Sequence, residues 1–364
     1  MDVFVVGGGP AGLAAAIAAR RQGFDVAVAD SAVPPIDKAC GEGIMPDGLA
    51  AAASLGIPLG PSLGCGFRGI RFCERDLSVE ASFPGGAGLG VRRTALHALL
   101  VECAANAGVR FAWGSHVVGM DAGHVAVNGR LVRAGWIIGA DGGQSRVRHW
   151  AGLETSAQEN VRFGFRRHYR LAPWSEYMEL HWGEHSQLYI TPVAAEELCV
   201  VLISRDAHFR LDQALPEFPQ VARRLAAAPW GDSERGGASV TRRLQSVSSG
   251  HVALIGDASG SVDAITGDGL CLSFQQAAAL ARALAAGDLN LYERDHRRIG
   301  RRPAFMGRLM LFLDGRGRLR ARTLRAFAQK PELFEEMLAS HLGHISHLRL
   351  ALNGFSLGWQ MLHP

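Results

Sequence analysis

Short runs of consecutive apolar residues dominate the hydrophobic pattern of this chain. They occupy residues 3–6, 26–29, 136–138 and 252–255, and each ends at or next to a glycine or an acidic residue. Runs of this length are typical of strands that are buried on both faces of a parallel sheet. An Ala-rich segment that extends to about Arg21 predicts a helix after the first run. The pattern therefore predicts an α/β fold.

A second pattern, in which apolar and polar residues alternate, fills much of residues 156–244. Alternation with a period of two predicts strands with two different faces, as in an antiparallel sheet. We therefore expect a non-contiguous α/β domain, an inserted β-sheet domain, and a C-terminal helical segment. The corresponding residues are 1–65, 91–155 and 245–300 for the first domain, 66–90 and 156–244 for the second, and 301–364 for the helical segment.

The first β run leads into the glycine motif GxGxxG, formed by Gly7, Gly9 and Gly12, which opens the predicted helix. Gly7 permits a tight turn, Gly9 lets a pyrophosphate approach the backbone, and Gly12 lets helix and strand pack closely. The N–H groups and the dipole of the helix N-terminus favour the phosphates. Asp30, at the end of the second β run, is placed to accept hydrogen bonds from a ribose and disfavours a 2′-phosphate. This motif predicts a dinucleotide without separating FAD from NAD.

Two later motifs distinguish FAD from NAD as the expected cofactor. Residues 136–150 read WIIGADGGQSRVRHW, and residues 252–269 read VALIGDASGSVDAITGDG. Together with GxGxxG, this trio resembles the FAD-dependent superfamily of para-hydroxybenzoate hydroxylase, which includes geranylgeranyl reductases and flavin-dependent halogenases. The resemblance covers roughly residues 1–290. It implies tightly but non-covalently bound FAD, in a Rossmann domain of the GR2 type formed by the first domain, and an inserted β-sheet domain that covers the substrate.

The resemblance also assigns residues to FAD. Asp257 matches the ligand of the ribityl chain, Gly267 and Gly269 face the pyrimidine end of the isoalloxazine, and Arg93 matches an arginine that reaches the phosphates or ribityl. The complete set of expected cofactor contacts is Gly7, Gly9, Pro10, Ala11, Gly12, Asp30, Ser31, Lys38, Cys40, Gly41, Arg93, Val117, Asp141, Gly142, Gly256, Asp257, Gly267, Gly269 and Leu270.

Local details favour the geranylgeranyl reductase branch. Cys40-Gly41-x-Gly43 resembles the Cys-Gly loop that lies beside the isoalloxazine in those enzymes, and no His follows Gly256-Asp257-Ala258 as in many hydroxylases. Tyr189 and Pro192 fit an aromatic-x-aromatic-x-x-Pro element of the reductases, but Thr191 stands at the second aromatic position. The halogenase Trp-x-Trp-x-Ile-Pro signature is absent from the sequence.

Three functions follow as hypotheses. Monooxygenation of an apolar small molecule through a flavin C4a-hydroperoxide is the first, because most of the superfamily performs that chemistry. Reduction of a C=C bond in a prenyl- or polyene-like substrate is the alternative, and a flavin-holding maturation factor acting on a partner protein is the third. Candidate catalytic side chains are Cys40, His181 and Tyr189, and His168 is a further polar candidate. With no second GxGxxG, NAD(P)H would visit transiently or a separate reductase would supply electrons.

Charge and cysteines narrow the class further. The net charge is +4, and the sequence contains no run of basic and aromatic residues of the kind that binds nucleic acid. No two of the six cysteines have the CxxC spacing of a metal site. We expect reduced thiols, no metal site at His341, His344 and His347, and a cytoplasmic protein without a signal peptide or membrane span.

Eleven arginines lie between Arg294 and Arg325. The phenylalanines and leucines of residues 305–313 predict an apolar helix face packed on the flavin domain; peripheral contact with an anionic membrane is the alternative.

Overall fold

The computed structural model describes residues 1–121, 123–154, 156–231 and 234–345. Its central element is a six-stranded sheet in which all neighbours are parallel except the first two. In spatial order, its strands are β18 (Ser248–Ser249), β19 (Val252–Leu254), β12 (Trp136–Gly139), β1 (Val3–Val6), β2 (Val26–Asp30) and β8 (Arg110–Trp113). The strands β1, β2, β12 and β19 are buried along almost their whole length, which explains their uninterrupted apolar sequences.

Five helices accompany the segments that build this sheet within the described chain. They are α1 (Pro10–Arg21), α2 (Pro46–Ser54), α3 (Arg93–Asn106), α4 (Arg146–Trp150) and α7 (Gly269–Ala286). Helix α1 starts with Gly9 at the N-cap and Pro10 in the first turn, where the missing N–H of proline costs no hydrogen bond. Its buried alanines allow close packing of α1 against α7 and α3.

A seven-stranded sheet stands beside this nucleotide-binding sheet. In spatial order, its strands are β17 (Arg235–Leu244), β13 (Ser156–Tyr169), β16 (Glu197–Ser204), β15 (Ser186–Ala194), β14 (Met178–Trp182), β5 (Gly69–Glu74) and β6 (Leu77–Ser82). Every pair is antiparallel except β14 and β5, which run parallel with Met178 opposite Ile70. The predicted antiparallel sheet is therefore present, with one parallel pair where the two inserted segments meet.

The two faces of this sheet contact different neighbours. Leu188 and Ile190 lie on the outer face, in a separate apolar core with α5 (Leu211–Ala214) and α6 (Pro219–Leu225). Tyr189, the residue between them, points to the inner face and belongs to the main core. The inner face is the one that meets the nucleotide-binding segments.

Smaller elements connect these layers. One three-stranded sheet contains β3 (Gly43–Ile44), β7 (Gly88–Gly90) and β4 (Cys65–Phe67); another contains β9 (Val117–Asp121), β10 (His124–Val127) and β11 (Arg130–Arg133). Single 3-10 turns cover Leu215–Glu217, Gly256–Ser259 and Ala264–Thr266. The division of the chain into the three predicted domains stays a prediction.

The C-terminal helices are α8 (Leu289–Asp314), α9 (Gly317–Gln329) and α10 (Pro331–His341). Helix α8 packs on α7 and on the Ala264–Thr266 turn, whereas α9 and α10 pack against β6. The ring of Phe334 in α10 stacks on Phe72 with centroids 4.6 Å apart. Residues 346–364, including His347, lie outside the described residues. In the described part of the chain, no helix combines the length and apolar composition needed to cross a bilayer.

Candidate functional site: a flavin-binding edge

The three glycine-containing motifs meet at the carboxyl edge of the parallel sheet. A Cβ placed on Gly7, just after β1, would lie 2.4 Å from the carbonyl oxygen of Ala140, just after β12. A Cβ on Gly256, just after β19, would lie 2.7 Å from Cβ of Ala11 at the start of α1. These close approaches explain the two glycines and bring segments from three distant parts of the chain to one edge, where α/β sheets bind their ligands.

The first turn has the shape of a phosphate cradle. A Cβ on Gly12 would lie 1.9 Å from the carbonyl oxygen of Gly7, so only glycine permits this turn. In contrast, a Cβ on Gly9 would have no heavy atom within 4 Å, so the backbone of Gly9 is open to an approaching ligand. Gly9 is also the N-cap of α1, whose first N–H groups and dipole favour an anion. This arrangement fits a pyrophosphate.

Asp30 lies beside the cradle at the end of β2. Its carboxylate accepts hydrogen bonds from the N–H groups of Gly8 at 2.7 Å and Ala32 at 2.8 Å, which fixes its orientation. A carboxylate has about four acceptor positions, so capacity remains for ribose hydroxyls. The N–H of Ser115 donates to the carbonyl of Asp30 at 2.9 Å, which brings the segment before Val117 to this end of the site. Ser31 is exposed next to Asp30.

Arg93 provides a buried cation at the start of α3. Arg93 is 5% exposed, and in the described part of the chain its Nη1 has no hydrogen-bond partner. One turn further along α3, the ring Nε2 of His97 lies 2.9 Å from the carbonyl oxygen of Gly8, so this helix start borders the cradle. Burial lowers the pKa of Arg93 because desolvation disfavours the charged form. An unpartnered guanidinium nitrogen beside a phosphate cradle fits an anionic group of FAD.

Lys38, Asp257 and Gly142 form the next part of the edge. The Nζ of Lys38 is 3.5 Å from Oδ2 of Asp257, and it lies 4.0 Å from the position of a Cβ on Gly142. Both charged side chains are about half exposed, so they remain accessible to a ligand. The structure thus brings together two expected contacts, Lys38 and Asp257, that are far apart in sequence.

Asp141 plays a local structural part. Its carboxylate accepts hydrogen bonds from the hydroxyl of Ser145 and from the N–H groups of Arg146 and Val147. These contacts stabilise the start of α4. The side chain of Asp141 is therefore engaged within the protein, and any contact with FAD falls to its backbone and to Gly142.

The turn before α7 closes the site. Gly267 has a φ of +70°, and neither Gly267 nor Gly269 would have an atom within 4 Å of an added Cβ. Both residues are exposed, whereas Leu270 is buried beneath them. The N-terminus of this 18-residue helix therefore presents a positive dipole end at an open backbone. That geometry matches the expected contact with the pyrimidine end of the isoalloxazine.

The Cys40–Gly43 loop is held by a buried network that the sequence analysis missed. Glu42, with a φ of +59°, accepts hydrogen bonds from the N–H of Arg93 at 2.8 Å and from Nη1 of Arg166 at 3.1 Å. The Nε2 of His168 lies 2.7 Å from its other oxygen. The hydroxyl of Thr191 donates to the carbonyl of Gly41 at 2.8 Å. The available signal was the alternation Arg166-x-His168 in β13, which places both side chains on the inner face.

The candidate catalytic side chains have different surroundings. Burial, with a contribution from Glu42, raises the pKa of the Cys40 thiol, so this thiol stays protonated near neutral pH. The hydroxyl of Tyr189 donates to the carbonyl of Ile265 at 2.9 Å, and burial raises its pKa. His168 is engaged with Glu42. These three lie on the flavin side of the sheet, but each has a structural contact that accounts for it.

His181 lies on the opposite face. It is next to Glu179, whose Oε2 is 2.8 Å from its Nε2, and its ring packs against Phe218 of the outer core. Because neighbouring residues of a strand alternate between faces, His181 points away from the flavin-binding edge. This placement does not favour His181 as a group that contacts substrate at the flavin.

Glu42, His168 and Cys199 form the one group of potential metal ligands found among the described residues, with atoms within 4.8 Å of one another. Arg166 already neutralises Glu42, and burial raises the pKa of the Cys199 thiol well above its usual value. A protonated thiol and a carboxylate occupied by a guanidinium are poor ligands. We interpret this group as part of the network that holds the loop.

Comparison with known proteins agrees with this geometry. The family model of the FAD binding domain matches residues 1–287. The chain is 30% identical over 319 residues to a menaquinone reductase of Mycolicibacterium smegmatis, covering 80% of this chain and 78% of that protein. It is 29% identical over 322 residues to a digeranylgeranylglycerophospholipid reductase of Methanosarcina acetivorans, covering 80% and 77%. A flavoprotein/dehydrogenase from Cytophaga hutchinsonii has the same fold, with a TM-score of 0.83 at 17% identity over 94% of this chain and 93% of that chain.

Fold and site together define an FAD-dependent oxidoreductase. The chain belongs to the FAD binding domain family, which confirms the resemblance seen in its three motifs and the predicted cofactor. The individual contacts between side chains and FAD stay predictions.

Proposed function

We propose that the protein uses FAD to reduce a C=C bond in an apolar, isoprenoid-type substrate. The observation that carries this proposal is the character of the inner sheet face next to the Cys40–Gly43 loop. A Cβ on Gly43 would lie 3.0 Å from the sulfur of Met178, and Leu180, Val193 and Val201 belong to the same buried apolar face. Such a surface suits a hydrocarbon chain and offers a polar substrate little compensation for lost hydration.

The polar groups on this face already have partners, including Arg166 and His168, which contact Glu42. Tyr189 donates to Ile265, Thr191 to Gly41, and Gln187 to Asp314. Hydroxylation of a phenol calls for a base that removes the phenolic proton, and these groups are not placed to act as one. The relatives named as reductases of menaquinone and of a digeranylgeranyl lipid add support for an isoprenoid substrate.

FAD, when bound, supplies the two-electron redox chemistry. The protein's contribution is to hold the reacting parts in place. The cradle at Gly9 and the cation of Arg93 bind the phosphates, and the network around Glu42 fixes the Cys40–Gly43 loop. The N-terminus of α7 stabilises negative charge at the open turn of Gly267 and Gly269. NAD(P)H or a separate reductase remains the predicted electron donor.

Monooxygenation is the second candidate, favoured by one observation. Thr191 stands where the reductases have an aromatic residue, and its hydroxyl is used to hold Gly41 instead of lining an apolar channel with a ring. The resemblance to para-hydroxybenzoate hydroxylase covers both chemistries. Oxygen transfer to an apolar substrate therefore shares the site and differs in its need for O2.

The test is product analysis with a menaquinone that has an unsaturated side chain. The protein is mixed with it under nitrogen in excess dithionite, which reduces the quinone head group and keeps the FAD reduced, and the head group is then reoxidised in air before mass spectrometry. We expect a product two hydrogens heavier, with the change located in the side chain. A parallel reaction is run in air. A product one oxygen heavier, formed only in that reaction, would establish monooxygenation and refute the reductase proposal. Protein from which FAD has been removed is the control for non-enzymatic reduction.

A further inference from the structure

The outer side of helix α8 carries a continuous stripe of cationic and aromatic side chains. Its members follow one another at intervals of four and three residues, the spacing of a single helix face. They are Arg294, Arg298, Arg301, Phe305, Arg308 and Phe312, and all are exposed. At 1.5 Å per residue the stripe is about 27 Å long.

The two aromatic residues were predicted to pack on the flavin domain, and that prediction is wrong for both. Phe305 is 43% exposed and Phe312 is 46% exposed, and they are the exposed phenylalanines of the described chain. The residues of α8 that do pack inward are Met306, Met310 and Leu313. Water contact with two large apolar rings is unfavourable, so this pattern is typical of an interaction surface.

The charge of the stripe is positive and largely uncompensated. Arg298 pairs with Asp295 at 3.0 Å, but within the described ranges neither Arg301 nor Arg308 forms an ion pair with an acidic side chain. Arg316, just beyond α8, lies with its guanidinium carbon 3.9 Å from the ring centroid of Phe312 and extends the positive surface.

The inner side of the same helix contacts the flavin-binding edge. A Cβ on Gly307 would lie 3.4 Å from Cγ2 of Thr266, the residue before the open Gly267 turn. The stripe is therefore separated from that turn by the thickness of one helix, about 10 Å. A surface that binds the stripe would therefore lie about one helix diameter from the open turn of the flavin-binding edge.

We propose that this stripe docks the protein on an anionic membrane surface. Arginines that alternate with phenylalanines match phosphate headgroups above an apolar boundary, where the guanidinium groups pair with phosphates and the rings enter the upper acyl region. A second copy of the chain is a poorer occupant, because a two-fold contact would bring Arg301 and Arg308 against the same positive stripe. The contact is peripheral, in keeping with the absence of a spanning helix in the described residues. This inference goes beyond the proposed function, because binding requires no turnover.

The test is co-sedimentation of the FAD-loaded protein with vesicles of phosphatidylcholine containing about 30% phosphatidylglycerol, compared with pure phosphatidylcholine. We expect binding to the anionic vesicles that weakens with added salt. Each basic residue near such a surface contributes about a five-fold factor, so Arg301→Gln/Arg308→Gln should lower the partition coefficient by roughly 25-fold. Phe305→Ser/Phe312→Ser should lower it while leaving the salt dependence unchanged.

The matched control is Arg130→Gln/Arg133→Gln, which removes two exposed arginines of β11 and should leave binding unchanged. The flavin spectrum and melting temperature of each variant show that it is folded. Equal binding to neutral vesicles, equal loss in the control, or no binding by the unmodified protein would overturn the proposal. A dimer that disappears in the α8 variants without vesicle binding would assign the stripe to self-association instead. Turnover of a detergent-dissolved substrate, measured separately, reports on the proposed function alone.

Discussion

Arg93 is the single residue that points most directly to cofactor binding. Its guanidinium is buried, and its Nη1 has no hydrogen-bond partner in the described chain. Burial disfavours this cation by more than the nearby carboxylates of Asp37 and Glu42 offset, and a phosphate of FAD would relieve that cost. Folding alone offers no evident gain from this charge. We therefore attribute its presence to the cofactor.

Replacing Arg93 tests this assignment. Arg93→Gln should weaken FAD binding by about 10- to 100-fold, the effect of losing one hydrogen bond to a charged group. Fluorescence titration of flavin-free protein measures the dissociation constant. Arg110→Gln, at the other end of the parallel sheet and paired with Asp25, is the control and should bind FAD normally. Unchanged affinity in Arg93→Gln would remove Arg93 from the phosphate site.

His296 should make the free energy of unfolding depend on pH. Its Nε2 lies 2.9 Å from the hydroxyl of Ser259, and burial lowers the pKa of its imidazole to about 4. Between about pH 6.5 and pH 4 the unfolded chain binds a proton at this position that the folded chain does not. The free energy of unfolding should therefore fall as the pH drops through this window, by up to about 3 kcal/mol from this group.

Chemical denaturation at several pH values measures that loss. His296→Gln keeps a polar partner for Ser259 but cannot take up the proton, so its stability should depend less on pH between 4 and 6.5. His149→Gln, at an exposed histidine, should behave like the unmodified protein. Identical slopes in His296→Gln and the unmodified protein would contradict the assignment.

Single residues differ in how well the sequence predicted them. The glycines of the cradle were predictable because the turn, the helix start and the phosphate approach all lie within a few consecutive residues. The network of Glu42, Arg166 and His168 was not predictable, since Glu42 is 124 and 126 residues from the other two and meets them only after the sheet has formed. His181 was misplaced as a candidate for a similar reason, because the alternation of a strand does not tell which face meets the flavin.

At the scale of elements, the cradle of β1 and α1 contains two glycines with different reasons to be glycine. Gly12 has no room for a Cβ within the protein itself, whereas Gly9 has room that a ligand would use. The backbone of Gly9, with φ −71° and ψ 179°, is also accessible to alanine. Substitutions at the two positions should therefore separate folding from cofactor binding.

Gly12→Ala should lower the free energy of unfolding of the flavin-free protein by about 3 kcal/mol, the effect of overpacking. Gly9→Ala should leave that value unchanged but lower FAD affinity by at least about ten-fold, because its methyl group meets the pyrophosphate. Denaturation without FAD and titration with FAD measure the two quantities. If Gly9→Ala bound FAD normally, the pyrophosphate would not lie at this turn.

The elements themselves were largely predictable from periodicity. The apolar runs at residues 3–6, 136–138 and 252–255 became parallel strands, and the alternating runs became the covering sheet. The parallel pairing of β14 with β5 could not be predicted, because it joins strands 108 residues apart whose local patterns do not specify partners. Helix α8 was predicted, but its outward-facing phenylalanines were assigned to the wrong side.

For the whole molecule, the central claim is that a flavin held at the edge of the parallel sheet reduces an apolar substrate lying against the inner face of the covering sheet. The FAD-dependent class follows from the family match, and the substrate chemistry is our proposal. The two candidate reactions differ in what reoxidises the flavin: an alkene in one, and O2 in the other. That difference can be observed directly in the flavin absorbance.

The most direct measurement is anaerobic stopped-flow mixing of the reduced protein with an unsaturated prenyl quinol and, in parallel, with its saturated analogue. The reduced head group of both compounds accepts no electrons from the flavin, and only the first compound has a side-chain alkene. Each reaction is compared with mixing into oxygenated buffer. Our account predicts that, under nitrogen, the flavin absorbance returns faster with the unsaturated compound, and that reoxidation in air without substrate is slow. Equal rates with both quinols under nitrogen, together with rapid substrate-dependent reoxidation that requires O2, would contradict it and establish monooxygenation.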